Sequence, residues 1–225
     1  MRKTLFLCLV LYLVSNGADN LLFAQLGFKI GMSNSSLSLS ENEGRPFFGY
    51  EVDWLIRHEL SGVQLGVFKD FEISKHFGIQ AEIFYAGRGM DASTHFLFDD
   101  IDYKIKLDYI EIPAEIKLKL PLTKSITTGL LAGPYFAIKI GAKRHSQIDG
   151  ITERIKLNNV HNFDFGFIIG LYSDILIRKL NFVLELRYNH GLSNIMDPLE
   201  NSVSVSEEDG TIRSKSAIIL MGVRL

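Results

Sequence analysis

The 225-residue sequence predicts an all-β fold: a closed eight-stranded antiparallel transmembrane β-barrel with four long outer loops and three short periplasmic turns. Three observations carry this expectation. Apolar and polar residues alternate with period two through eight separate stretches, the pattern of a strand with two different faces. No stretch beyond the N-terminal segment offers the ~20 uncharged apolar residues of a membrane helix. The connections between the eight stretches alternate long and short, as in barrels whose turns face the periplasm and whose loops face outward.

The N-terminus reads as an export signal. Arg2 and Lys3 are followed by the apolar run Leu5 to Val14, too short to span a bilayer. Cleavage is expected after Ala24, giving a signal peptide over 1–24 and a barrel domain over 25–225. A cut near Gly17 is the alternative, because Leu22 is large for its position before Ala24. The one cysteine, Cys8, lies within this segment, and Leu5-Phe6-Leu7 lacks the small residue that a lipid-attachment site needs. The expected mature chain therefore has no disulfide and no cysteine-based metal site.

The strands follow in order. The stretch 25–33 sets Leu26, Phe28, Ile30 and Met32 against Gly27, Lys29 and Gly31. The second, 62–71, is weaker, because Val63, Leu65, Val67 and Phe68 do not hold one phase. The third, 78–87, sets Ile79, Ala81, Ile83 and Tyr85 against Gln80 and Glu82. The fourth, 110–120, is the cleanest: Ile110, Ile112, Ile116 and Leu118 oppose Glu111, Glu115, Lys117 and Lys119. In the fifth, Leu130, Phe136, Ile138 and Ile140 oppose Gly129, Gly133, Lys139 and Gly141. The sixth sets Phe163, Phe165, Phe167 and Ile169 against Asp164, Gly166 and Gly170. The seventh sets Phe182, Leu184, Leu186 and Tyr188 against Glu185, Arg187 and Asn189. The eighth sets Ala217, Ile219, Met221 and Val223 against Gly222 and Arg224, with Ile218 and Leu220 blurring the contrast.

Short connections fall at 72–77, 121–125 and 177–179, and long ones at 34–61, 88–106, 143–160 and 194–214. Two places resist the pattern. Leu107 and Tyr109 are out of phase with Ile110 and Ile112, so a bulge is expected near Tyr109–Ile110. The segment 47–60 alternates in part and reads either as an extension of the first hairpin or as a short helix.

Alternation alone does not separate a membrane barrel from a soluble one, and residue type decides. The polar stripe mixes glycines with long charged side chains. An eight-stranded barrel is just wide enough inside for side chains to fill, so long groups within need glycines opposite. The other stripe carries no Lys or Arg at its centre, where one would cost ~2–4 kcal/mol against lipid. Buried charges must be paired. A structural polar network inside the lumen is therefore expected among Glu82, Glu115, Lys117, Glu185, Arg187 and Arg224. Such a network blocks the lumen and argues against a general diffusion pore.

Net charge is −2, which gives no electrostatic reason for nucleic acid as a partner. With 47% hydrophobic and 22% charged residues, the chain does not fit a disordered composition. Of the histidines, His58, His95 and His145 fall in outer loops, His161 and His190 at outer strand ends and His76 in a periplasmic turn. A rim enzyme would need a set such as Ser146, His145 and Asp149, and no spacing enforces it. The acidic groups Asp99, Asp100, Asp102 and Glu207, Glu208, Asp209 match no calcium-loop spacing. No catalytic residue, cofactor or metal is expected.

Several segments resemble the PorT-like outer-membrane β-barrel family of Bacteroidota-type bacteria. They are Gly27-Phe28-Lys29-Ile30-Gly31, Gln64-Leu65-Gly66-Val67-Phe68 and Ile79-Gln80-Ala81-Glu82-Ile83-Phe84-Tyr85 with Gly87. Leu107-Asp108-Tyr109-Ile110-Glu111-Ile112-Pro113, Gly133-Pro134-Tyr135, Glu185-Leu186-Arg187-Tyr188 and Gly191-Leu192 complete the set. The resemblance implies an outer-membrane barrel of a Gram-negative bacterium. Some members are linked to protein secretion and surface assembly, and the family has no catalytic motif to carry over. The chain departs from it in a longer first loop and in ending on Leu225 rather than an aromatic residue. The expected role is structural or interactive within the cell envelope, with outer-membrane lipid and other envelope or secretion proteins as partners. The alternative is a narrow channel or small-ligand transporter.

Overall fold

A computed structural model describes residues 25–39, 56–96, 99–148, 151–196 and 211–225. The expected signal peptide, residues 47–55 and most of the first and fourth long loops lie outside these residues. The described chain is nearly all strand: β1 Gln25–Leu39, β2 Ile56–Glu72, β3 Phe77–Phe96, β4 Asp99–Pro121, β5 Ile126–Ile148, β6 Ile151–Lys156, β7 Phe163–Ile177, β8 Leu180–Gly191 and β9 Ile212–Arg224. Every pairing is antiparallel. The circuit runs β4-β3-β2-β1-β9-β8-β7-β5 and closes through β4–β5. It is an eight-stranded barrel, and β6 pairs with β5 alone, outside the circuit. Closure leaves no sheet edge in the lipid, the condition for crossing a membrane with strands.

Local chemistry explains the three short turns. Ser74 Oγ accepts from the backbone N–H of His76 (3.2 Å) and of Phe77 (3.0 Å). Thr123 Oγ1 does the same for Ser125 (3.2 Å) and Ile126 (3.0 Å). These hydroxyls stand in for the backbone acceptors a tight turn lacks. The third turn is the two-residue link Arg178–Lys179, with Arg178 at φ 57°. At the same end the Leu225 N–H donates to Leu26 O at 2.8 Å, which ties the C-terminus to the start of β1.

The two faces separate cleanly. Ile116 (61% exposed), Met32, Phe136, Phe165 and Leu184 point outward, while Lys29, Glu115 and Asp164 have essentially no exposed surface. Outward residues of β4 run from Ile110 to Leu120, 11 positions by number, matching the ~9–11 residues of a membrane-spanning strand.

Four sequence expectations need correction. Leu107 and Tyr109 do not mark a bulge in β4. Both are buried inside (1% exposed each), in phase with Glu111. The irregularity belongs to β5, where Ile140 is the extra residue between Lys139, opposite Tyr109, and Gly141, opposite Asp108. Gly141 therefore shares the outward face of Asp108 rather than the lumen face. Second, the long loops at 88–106 and 143–160 are largely sheet: β3, β4 and β5 have 20, 23 and 23 residues and rise well beyond the apolar belt. Third, the uneven second stretch is one strand. Val63, Leu65 and Val67 face out and Phe68 faces in, and the β2–β3 register shifts between Glu59 and Gln64. Fourth, Ile218 and Leu220 are lumen residues (3% and 1% exposed), so they do not blur a lipid stripe.

Candidate functional site: the filled lumen

Inward positions of seven strands bring together five cations (Lys29, Arg88, Lys117, Arg187, Arg224) and seven carboxylates (Asp70, Glu82, Glu111, Glu115, Asp164, Asp174, Glu185), all buried. They sort into three tiers along the barrel axis.

The tier nearest the short turns joins β2, β4, β7 and β9. Arg224 Nη2 lies 2.5 Å from Asp70 Oδ2 and 2.9 Å from Asp174 Oδ2. Lys117 Nζ lies 3.3 Å from Asp70 Oδ2 and donates to Gln80 Oε1 at 3.0 Å.

The middle tier joins β1, β3, β4 and β8. Lys29 Nζ bridges Glu82 (2.5 Å) and Glu185 (2.6 Å). Arg187 forks onto Glu82 through Nη1 (2.5 Å) and Nη2 (2.9 Å), and Nη1 reaches Glu115 Oε1 at 3.0 Å. It also pairs with Glu185. The planar guanidinium suits this, because it offers several donors in fixed directions to several carboxylates. Gln80 Nε2 donates to Glu115 at 3.0 Å and so links the two tiers.

The outer tier is built on Arg88 of β3. It pairs with Glu111 and places Nη1 2.9 Å from Asp164 Oδ2. Tyr135 donates its hydroxyl to Asp164 at 3.1 Å, Ser193 donates to the same carboxylate at 2.5 Å, and Asn189 donates to Glu111 at 3.0 Å.

Rings pack beside the cations. Lys29 Nζ sits 4.2 Å from the Phe68 centroid, Lys117 Nζ 4.1 Å from Tyr172, and the Arg88 guanidinium 4.8 Å from Tyr135. Desolvated contacts of this kind add to ion pairing. They also give the glycines a sharper role than the sequence suggested. A Cβ at Gly27 would stand 2.4 Å from the Phe68 ring, one at Gly129 2.9 Å from Tyr172, and one at Gly166 2.6 Å from Tyr135. These three glycines make room for rings that flank the charges, whereas Gly31, Gly133 and Gly170 let the backbone carbonyls of Ile219, Ala114 and Leu186 approach closely. Gly222, against the Lys29 stem at 2.7 Å, makes room for a charged side chain itself.

Above the outer tier the mouth is apolar. Leu37, Met90, Ile105, Val160, Ile195 and Met196 pack there as part of one buried cluster. The segments after β6 and after β8 fold inward over the opening. They are held by the Val160–Met196 bridge, by Lys139 N to Asn162 O (2.8 Å) and by Ile195 N to Ile212 O (2.9 Å). Lys139 sits at this rim and reaches Val160 O. At the opposite end a vestibule of about 190 Å³ is bordered by Glu72, Lys119, Asp174 and Arg224 among others.

Of the residues named from sequence, Glu82, Glu115, Glu185 and Arg187 meet in the middle tier, and Lys117 and Arg224 meet in the tier below it. Lys29, Asp70, Arg88, Glu111, Asp164 and Asp174 complete the tiers and were not named. Lys29, Glu111 and Asp164 carried a usable signal, since each stands on the charged stripe. Arg88 and Asp174 lie just past the stretches whose alternation was legible.

Among the described residues the histidines converge on no common site. His161 Nδ1 is 2.8 Å from Asn194 O, and His190 stacks on Tyr188. Among the described residues no three potential metal ligands cluster. Ser146 and Asp149 fall outside the residues whose side chains are described.

A closed strand circuit, an apolar exterior and an ion-filled interior define an integral β-barrel protein of the outer membrane. Residues 16–197 match the family model for the outer membrane protein beta-barrel domain, and the chain belongs to that family. Among solved structures, outer membrane protein OprG from Pseudomonas aeruginosa is similar, with a TM-score of 0.51 and 12% identity over 90% of this chain and 94% of that one. Ail, the attachment invasion locus protein of Yersinia pestis, matches at 14% identity and TM-score 0.41 over 91% of this chain and all (100%) of that one. Neisserial surface protein A matches at 9% identity and TM-score 0.45, with 91% and 100% covered. The OprG likeness shows the fold alone. No curated protein matches the sequence.

Proposed function

We propose that this barrel is a closed anchor with a structural or interaction role in the cell envelope, assisting protein secretion or surface assembly, and that it is not an enzyme. The carrying observation is the filled lumen: buried ion pairs run from Asp70 to Asp164, under an apolar cap. A barrel filled this way spends its interior on rigidity, and the extended strands β3 to β6 are left as the part that meets other molecules. The segments that resemble the PorT-like family support secretion or surface assembly as the process, with envelope or secretion proteins as partners. A photo-cross-linker at the exposed Glu153 of β6 is expected to capture an envelope protein in native membranes; capture of lipid alone would count against the role.

The second reading is a narrow channel or small-ligand transporter. The lumen's excess of carboxylates over cations favours it and makes it cation-preferring. Planar bilayers separate the two. The anchor predicts no conductance steps above those of protein-free membranes, whereas steps with cation selectivity would establish the channel.

A further inference from the structure

Beyond the apolar belt, β4, β5 and β6 continue as a three-stranded sheet. Register sets Lys104, His145 and Arg154 side by side in one row, and Lys106, Lys143 and Lys156 in the row nearer the membrane. Directly opposed residues share a face. Ile105, Leu107 and Ala142 are buried on the other face, so both rows lie on the face that continues the lipid-facing stripe.

The face is strongly cationic. Lys104 pairs with Asp91 at 2.8 Å, and among the described residues no carboxylate pairs with Lys106, Lys143, Arg154 or Lys156. Asp108, one row closer to the belt, accepts from the Tyr85 hydroxyl at 2.7 Å, and Asp102 falls one row farther out by register. Burial together with Arg154, Lys106, Lys143 and Lys104 holds the His145 imidazole below the usual histidine pKa.

Height and width fit one occupant. Lys106 stands four residues beyond Ile110, or ~13 Å of strand, which a tilt of ~40° reduces to ~10 Å above the belt. The polar headgroup layer is ~5–8 Å deep on each side of the hydrocarbon, and lysine stems snorkel back toward it. Three strands span ~10 Å, the breadth of a small headgroup.

We propose that this face binds the phosphorylated headgroup of an outer-leaflet lipid, with Lys106, Lys143 and Lys156 on the phosphate and Arg154 and Lys104 on the next anionic or sugar group outward. A lipid is favoured over a soluble anion because the rows are continuous with a wall already embedded in lipid. The inference rests on membrane insertion and holds whether or not the lumen conducts.

The test is native mass spectrometry of the full chain in mild detergent. The barrel is offered an equimolar mixture of a bis-phosphorylated glucosamine-disaccharide lipid and its dephosphorylated counterpart with the same acyl chains. Retention of the phosphorylated lipid alone is expected. The triple variant K106Q/K143Q/K156Q is expected to lose affinity on the order of a hundredfold, at about fivefold per lysine. Its fold is checked by heat-modifiable migration on gels. NMR of His145 gives a second readout: the bound phosphate raises its pKa, and the dephosphorylated lipid does not. Equal retention of both lipids, or unchanged retention by a folded triple variant, would overturn the proposal. Displacement by millimolar inorganic phosphate would reduce the face to a simple anion site. Retention of a sulfated oligosaccharide in preference to the lipid would replace the lipid with a soluble polyanion.

Discussion

Replacing Arg187 with methionine is expected to destabilise the folded barrel by about 3–5 kcal/mol, the range for breaking a buried ion network by removing one partner. Arg187 is in contact with Glu82, Glu115 and Glu185. Its loss leaves three buried carboxylates to a single cation, Lys29, which reaches only Glu82 and Glu185. Among the described residues Glu115 then keeps no ion-pair partner and holds the Gln80 amide. The second substitution Glu115→Gln should therefore recover part of the loss. Urea unfolding from lipid vesicles measures both variants, and the recovery appears as a coupling energy in a double-mutant cycle. A loss below ~1 kcal/mol would mean that Arg187 is hydrated, as an exposed pair would be.

The second large effect lies on the outward face of β4, across the barrel wall from the ion network. Ile116→Arg should cost ~2–4 kcal/mol, because it places a guanidinium near the centre of the outward belt. Ile116 is 61% exposed in the barrel alone and sits between Glu115 and Lys117, which are buried. Moving a positive charge by one residue along β4 thus carries it from a site with two carboxylates nearby to hydrocarbon. Refolding yield into vesicles should fall with the unfolding midpoint. A soluble barrel with Ile116 in water would tolerate arginine within ~0.5 kcal/mol.

Much of this architecture was legible in the sequence because a membrane barrel writes one rule into every strand. Lipid excludes charge from one face, and a narrow lumen demands glycine and paired ions on the other. Strand number and turn placement follow from that period, and the inward direction of Glu82, Glu115, Glu185 and Arg187 from the residue types on each stripe. The rule weakens where lipid no longer selects. Past the belt, β3 to β5 continue with Ile105 and Leu107 turned inward, so apolar residues change faces without any break in β4. The bulge at Ile140 is invisible for a related reason: Lys139, Ile140 and Gly141 at the rim fit either phase. The cap was hidden because Val160, Ile195 and Met196 lie in irregular segments with no period to read. The partners Asp70 and Arg88 needed register, which tells which inward residues stand at the same height.

Tryptophan quenching by brominated acyl chains tests the assignment of the two faces most directly. In a Trp54→Phe background, Ile116→Trp and Tyr172→Trp place the probe outside and inside the wall at neighbouring heights, since Tyr172 packs against Lys117. The barrel described here predicts strong quenching at position 116 and almost none at 172. Quenching at 172, with position 116 open to aqueous iodide instead, would contradict it.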